Sequence, residues 1–184
     1  MKKVTIIIFC LFLLFSSLNA QTDSAKTSDK ETDKKPVQKA NQRPTESNKK
    51  KEPYDDSDVK TMATKCVQFE TAKGNIKMEM FPESAPETVR NFLNLVATGA
   101  FDTTTFSRVV PDFVIQGGNL WTSEKLTDDL KWRAAESIPD EPNQVRHEKG
   151  ILSMARGDEP NSAGTSFFIL LTTASYLDGK FAAF

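Results

Sequence analysis

The hydrophobic positions divide this chain into stretches of different character. Residues 4–15 form an almost unbroken apolar run, whereas residues 21–60 contain only five apolar positions. From residue 62 onward, apolar side chains recur at the spacings of strands and of a helix. The pattern therefore predicts one folded domain over residues 62–184, preceded by a short apolar segment and a polar one.

The beginning of the domain alternates between apolar and polar positions. Residues 66–71 and 76–81 alternate on either side of the turn residues 72–75, so we expect a β-hairpin. Ser84 followed by Glu87 has the spacing of a helix capping box. The residues after it have one apolar face at helical spacing and predict a helix: Val89, Phe92, Leu93 and Val96.

The rest of the domain returns to short apolar runs separated by turn residues. Residues 106–110, 113–116, 150–155 and 166–172 are the candidate strands. Residues 120–146 are polar and weakly periodic, so we expect a surface loop with helical turns there. Short strands with one amphipathic helix predict a mainly β domain, a barrel or a sandwich closed by helices.

The N-terminal apolar run has the features of an export signal. Two lysines precede it, and small residues follow it up to Ala20, so residues 1–20 are interpreted as a signal peptide. About a dozen apolar residues are fewer than the roughly 18–20 that span a bilayer, and an uncleaved anchor is the alternative. We expect an exported protein, periplasmic or secreted, without stable membrane insertion after cleavage. Residues 21–61 are predicted to be a disordered polar linker, because they bury too little apolar surface to offset the entropy of ordering.

Charge and residue counts exclude several kinds of chemistry. The formal net charge is −1, with acids and bases interleaved, which argues against a nucleic-acid partner. Beyond the signal peptide, Cys66 is the single cysteine and is expected to be a buried structural thiol, and the single histidine, His147, is interpreted as a loop bystander. We therefore predict no metal site and no cofactor. The acidic pairs 128–129 and 140–141 are interpreted as solvated surface.

Three segments carry an unusual combination of residues. Residues 106–119 place an arginine in a strand, followed by aromatic and aliphatic residues, a glutamine and two glycines, and residues 150–169 and 176–184 follow in order. With the preceding hairpin and helix, these segments resemble the cyclophilin family from about Thr64 to Phe184. The resemblance implies peptidyl-prolyl cis-trans isomerase activity and a closed eight-stranded antiparallel barrel capped by helices. The family's pattern continues with a last helix and strand, so we expect this chain to be an incomplete domain of low stability.

The resemblance also implies roles for individual residues. Arg108 corresponds to the catalytic arginine, and Gln116 would hydrogen-bond the substrate backbone. Ala155 and Arg156 would form the neighbouring edge that binds the backbone. The remaining substrate-binding residues would form the wall and rim of the proline pocket: Phe113, Val114, Ser166, Phe168, Tyr176, Leu177 and Phe181. The expected partners are proline-containing polypeptides, bound by a monomer.

Several of these residues depart from the best-known eukaryotic members of the family. Ser166 and Phe181 stand where those members have a glutamine and a histidine, and Val114 replaces a methionine. Tyr176 replaces a tryptophan, a change common among bacterial-type members. The changes at 166 and 181 weaken the expected binding of peptides, and two alternatives to the enzyme stay open. One is a scaffold or chaperone module that binds proline peptides with little turnover, and the other is a barrel that holds a small apolar ligand in its interior.

Overall fold

The computed structural model describes residues 50–184, so the predicted signal peptide and most of the predicted linker lie outside the described residues. Within them, strands are formed by β1 (Cys66–Thr71), β2 (Gly74–Glu79), β3 (Arg108–Val110), β4 (Val114–Gly117), β5 (Leu152–Met154) and β6 (Phe167–Leu170). The α-helices are α1 (Val59–Met62), α2 (Pro86–Ala97) and α3 (Asp128–Ala134), and 3-10 helices cover Leu120–Thr122 and Ser175–Leu177. No helix in this part of the chain combines the length and the apolar character needed to cross a membrane.

The predicted hairpin is confirmed, with a shorter turn than expected. Strands β1 and β2 pair antiparallel with Thr71 opposite Gly74, so the turn consists of residues 72–73 alone. Gly74, which the pattern assigned to the turn, begins β2 with a φ of 123°, a conformation that glycine adopts readily because it has no Cβ.

The predicted burial of Cys66 is wrong, because its thiol-bearing side chain is exposed. Successive side chains of a strand point to opposite faces. In β1 the neighbouring Val67 faces the interior and is only 4% exposed, so Cys66 faces away from it.

The second sheet contains the four later candidate strands; three are shorter than predicted, and β4 keeps the predicted length but is shifted by one residue. Its strand order is β3-β4-β6-β5, and all neighbours are antiparallel. The predicted closed eight-stranded barrel is not formed by residues 50–184, which contain six strands in two separate sheets. Closure requires that every strand edge be paired. Here β3 pairs with β4 alone, and the outer edge of β5 is bridged only by Ser153 and Ala183.

Alternation along the strands gives this sheet two different faces. One face carries a row of aliphatic residues in register: Ile115, Ile169 and Leu152. One residue along, the opposite face carries a different row in register: Arg108, Gln116 and Phe168. Residues directly opposite in antiparallel strands share a face. The first row lies in the core, and the second row lies on the opposite side of the sheet.

Helix α2 and the hairpin cover the aliphatic face. The ring centroid of Phe92 lies 5.4 Å from those of Phe101 and Phe167 and 5.1 Å from that of Phe184. Phe69 of β1 contacts three of these rings, at 5.6 to 6.0 Å. Phenylalanine rings thus occupy the interior, which argues against a small apolar ligand held there.

The first turn of α2 is capped differently from the prediction. The residue that precedes the helix is Ala85, which makes no side-chain hydrogen bond, so the capping box from Ser84 is wrong. Instead the carboxylate of Glu141 accepts the backbone N–H groups of Glu87 at 3.0 Å and Thr88 at 2.7 Å. A carboxylate at a helix N-terminus contributes about 0.3–1 kcal/mol. The prediction of solvated surface is therefore wrong for Glu141, whereas Asp128 at the start of α3 is exposed.

The end of the predicted linker contacts the domain, which corrects its boundary. The guanidinium of Arg90 on α2 donates to the carbonyl oxygens of Tyr54, at 2.9 Å, and Ser57. Asn94 accepts the backbone N–H of Tyr54 at 2.7 Å. Tyr54 and Val59 also pack against the core, because they are two of the few apolar residues in the polar stretch. We call residues 50–58 the N-terminal strap.

Candidate active site

A tight turn between β3 and β4 sets Arg108 opposite Gln116. Asp112 in this turn has a φ of 57°, a left-handed conformation in which aspartate is enriched. The antiparallel register then places the two side chains side by side, and Arg108 Nη1 donates to Gln116 Oε1 at 3.3 Å. Arg108 is exposed to solvent, and its guanidinium carbon lies 6.0 Å from the ring centroid of Phe113.

Beside this pair lies a cavity of about 220 Å³, which we call the apolar pocket. Its lining consists of nine residues predicted from the sequence: Arg108, Phe113, Val114, Gln116, Ala155, Arg156, Phe168, Leu177 and Phe181. Val114, Phe168 and Leu177 are each less than 10% exposed, so the wall is fixed by packing. Within this lining there is no carboxylate, thiol or imidazole. The pocket can therefore hold an apolar group beside a guanidinium, but its lining supplies no nucleophile.

Arg156 is fixed at the opposite rim of the apolar pocket. Its guanidinium carbon lies 5.1 Å from the ring centroid of Phe181. Nη1 donates to the carbonyl of Gly157 at 3.1 Å and Nη2 donates to that of Lys180 at 3.3 Å. The Phe181 ring in turn meets Phe168 edge to face at 6.1 Å. These contacts hold the rim that the sequence assigned to backbone binding.

The two other predicted residues flank the apolar pocket without lining it. The ring of Tyr176 stacks on Phe113, with centroids 6.3 Å apart, and is 60% exposed. Ser166 lines a second cavity of about 440 Å³, which we call the polar cleft. Gln116, Ala155 and Arg156 line both cavities, so the cleft continues the pocket along the predicted backbone-binding edge.

The polar cleft contains residues that the sequence reasoning did not assign to the site. They come from the loops after β4, α3 and β5: Asn119, Trp121, Glu136, Ser162, Gly164 and Thr165. A Cβ on Gly118 would lie 2.3 Å from the carbonyl oxygen of Thr165, whose hydroxyl donates to the Gly118 carbonyl at 2.7 Å. The sequence feature that could have indicated these loops is the glycine pair after β4, because glycine permits this close approach of two loops.

The prediction that His147 is a loop bystander is wrong, because its side chain is completely buried. The backbone N–H donates to Asp178 Oδ1 at 2.7 Å, and ring Nδ1 lies 3.0 Å from the same oxygen. Ring Nε2 lies 3.1 Å from the hydroxyl of Ser153, which donates to the Ala182 carbonyl at 3.0 Å. This histidine therefore ties β5 to the turn that follows Leu177 of the apolar pocket.

Electrostatics at this turn favour the ionised carboxylate. The backbone N–H of His147, its imidazole and the charge of Arg146 hold the pKa of Asp178 below the ordinary value of 3.8. Residues 50–184 contain no cluster of three or more acidic, histidine or cysteine ligands for a metal ion.

Comparison with known proteins agrees with this geometry. Residues 66–184 match the family described as cyclophilin type peptidyl-prolyl cis-trans isomerase/CLD. The peptidyl-prolyl cis-trans isomerase CYP23 of Arabidopsis thaliana is 38% identical over 120 residues, which cover 64% of this chain and 53% of CYP23. The peptidyl-prolyl cis-trans isomerase ppi1 of Schizosaccharomyces pombe is also 38% identical over 120 residues, covering 64% of this chain and 75% of that protein.

A solved structure gives the same result at the level of the fold. The cyclophilin-type isomerase of Cryptosporidium parvum, crystallised in the presence of the dipeptide Ala-Pro, superposes with a TM-score of 0.56 at 32% identity. The match covers 65% of this chain and 76% of that one. The antiparallel β fold and the apolar pocket beside an arginine agree with a cyclophilin-like protein. The match over residues 66–184 shows that the chain belongs to the cyclophilin-type peptidyl-prolyl isomerase family. It spans about half the length of CYP23.

Proposed function

We propose that this protein accelerates the cis–trans isomerisation of X-Pro bonds in polypeptides. The observation that carries the proposal is the guanidinium of Arg108, which stands at the rim of an apolar pocket and is held there by Gln116. The crystallisation of the Cryptosporidium parvum relative with Ala-Pro supports a proline residue as the occupant of such a pocket.

The reaction needs no nucleophile, which suits the lining of the pocket. The peptide bond resists rotation because the nitrogen lone pair is shared with the carbonyl, giving a barrier of about 18–20 kcal/mol. When the bond twists, the lone pair is released onto the nitrogen, and a guanidinium can donate a hydrogen bond to it. That interaction exists only near the transition state, which is the condition for a higher rate. Arg108 is the residue placed to make it.

The other groups hold the substrate while the bond turns. Phe113, Phe168 and Leu177 would enclose the proline ring, and each is fixed by its neighbours. Gln116 already accepts a hydrogen bond from Arg108, so its amide N–H₂ is available to the substrate carbonyl. The proline ring would stay still. The carbonyl group of the residue before the proline, and the chain attached to it, would swing past Ala155 and Arg156.

The decisive test replaces Arg108 by alanine and measures turnover of a short Ala-Pro peptide. Removal of one preorganised transition-state donor typically costs roughly 10²–10³ in rate, and we expect a loss of that size with binding largely retained. Lys77→Ala, which removes one positive charge from an exposed strand position away from the site, should leave turnover unchanged. A folded parent protein that binds proline peptides without turning them over would instead be the scaffold or chaperone module.

We also propose that the clients are exported proteins and that the protein acts on them as a monomer. Support comes from the N-terminal sequence, where Lys2 and Lys3 precede the apolar run and small residues lead to Ala20. N-terminal sequencing of the protein from the exported fraction of its source cells should begin at Gln21. An intact Met1 in the cytosolic fraction would contradict export.

A further inference from the structure

The N-terminal strap is joined to α3 by a largely buried ion pair. Arg133 Nε donates to Glu52 Oε1 at 3.0 Å and Nη2 donates to Oε2 at 3.3 Å, a two-pronged contact. The two side chains are only 12% and 14% exposed. A second ion pair of this helix joins Asp128, which is 78% exposed, to Lys131, which is 46% exposed. Exposed pairs contribute little, whereas removal of one partner from a buried pair leaves an uncompensated charge.

The same guanidinium contacts one wall of the polar cleft directly and the other through Asn91. Nη2 of Arg133 donates to Asn91 Oδ1 at 2.6 Å, and Asn91 Nδ2 donates to the carbonyl of Gly164 at 2.8 Å. Nη1 of Arg133 lies 3.5 Å from a carboxylate oxygen of Glu136. Gly164 and Glu136 line the cleft from opposite loops. Arg133 is therefore the point at which the strap, α2 and both walls of the cleft meet.

The two walls are also in close contact with each other. A Cβ added at Gly164 would lie 2.7 Å from the carbonyl oxygen of Glu136, so the loops approach without room for a side chain. The backbone N–H of Ile138 donates to the Ala163 carbonyl at 2.8 Å just beyond. A shift of Arg133 would therefore act on the place where these two loops meet.

We propose that Glu52 is a positioning residue that sets the shape of the polar cleft through Arg133, and so selects the side chains accepted close to the proline. The inference rests on the proposed isomerase function. The cleft and the apolar pocket share the edge formed by Ala155 and Arg156, so a peptide with its proline in the pocket extends a neighbouring side chain into the cleft. Without the Glu52 carboxylate, Arg133 has Glu136 as its remaining acidic partner and draws that wall toward itself.

The test compares Glu52→Gln with the parent on two peptides that share Ala-Pro. One carries glycine before the Ala-Pro pair and the other carries leucine, whose side chain reaches the cleft. We expect the ratio of kcat/KM for the two peptides to change roughly three- to tenfold in E52Q, chiefly through KM, which is less than the 10²-fold that misplaced reacting groups can cost. The glycine peptide should change less than twofold. E52D, which keeps the charge, should recover most of the parent ratio.

The control is Asp128→Asn, which removes the exposed ion pair of the same helix and should leave the ratio unchanged. An unchanged ratio in E52Q that melts cooperatively would overturn the inference. If E52Q does not fold, Arg133→Lys takes its place, because it keeps the positive charge but loses the two-pronged contact with Glu52, and an unchanged ratio in that folded variant overturns the inference.

A binding measurement separates this inference from the proposed function. Trp121 lines the cleft and is 57% exposed, so binding of either peptide along the edge shared with the apolar pocket should change the tryptophan fluorescence. If the parent binds both peptides but turns over neither, the isomerase proposal fails. The ratio of the two dissociation constants in the parent and in E52Q still tests Glu52, and an equal ratio in both proteins rejects its positioning role.

Discussion

Phe167 and Phe168 are neighbours in β6, yet they serve opposite faces of the same sheet. Phe167 is 2% exposed and packs in the core, with its ring centroid 5.4 to 6.3 Å from those of Phe69, Phe92, Phe101 and Phe106. Phe168 is 7% exposed and forms a wall of the apolar pocket. The comparison teaches that a strand with a period of two can separate the residues that stabilise the fold from those that form the site.

The largest effect is expected when Phe167, on the core face of the sheet, is replaced. Phe167→Ala removes a ring that contacts four others, and a buried phenylalanine replaced by alanine typically costs about 3–5 kcal/mol. We expect a loss of that size in the free energy of unfolding, measured by denaturant titration. Activity per folded molecule should remain close to that of the parent, since this side chain does not line the pocket.

Phe168→Ala is the matched substitution on the other face. Its cavity would merge with the open apolar pocket, so we expect roughly half the loss of stability found for Phe167→Ala. Turnover should fall by roughly tenfold or greater, which is more than in Phe167→Ala. The reason is that the apolar wall contributes about 1.5–3 kcal/mol to holding a buried ring. If the two variants lost stability and turnover in the same proportion, the assignment of one face of the sheet to the stability of the fold and of the other to the site would be wrong.

The features that the sequence predicted are those set by local spacing. Alternation located the strands, and the resemblance of three segments to the cyclophilin family located the nine residues of the apolar pocket. The features that it missed join residues far apart in the chain. Glu141 caps a helix 54 positions earlier, Glu52 pairs with Arg133 81 positions later, and His147 meets Asp178 31 positions later. Periodicity describes which face a residue occupies, and it carries no information about which distant partner lies opposite that face.

The smallest expected effect concerns the hydrogen bonds that support the face of the sheet carrying Arg108, Gln116 and Phe168. Ser153 lies opposite Phe168 in the register and bonds to His147, which bonds in turn to Asp178 beside the pocket residue Leu177. A lowered pKa means that the folded protein favours ionised Asp178. Its contribution to stability is therefore present above the ordinary value of 3.8 and is lost as the pH falls through the lower folded value.

Asp178→Asn should remove this part of the acid sensitivity. We expect the free energy of unfolding of the parent to decline more steeply below about pH 4 than that of the variant, measured by denaturant titration between pH 3 and 7. Asp58 and Asp128 also have lowered pKa values, and they remain in both proteins, so the difference isolates Asp178. At pH 7 the variant should bind proline peptides slightly more weakly, because the turn carrying Leu177 keeps the hydrogen bond from the His147 backbone but loses the charge that strengthens it, whereas the environment of Phe167 should be unchanged. Parallel pH profiles would show that the ionisation of Asp178 contributes nothing to the stability of the folded state.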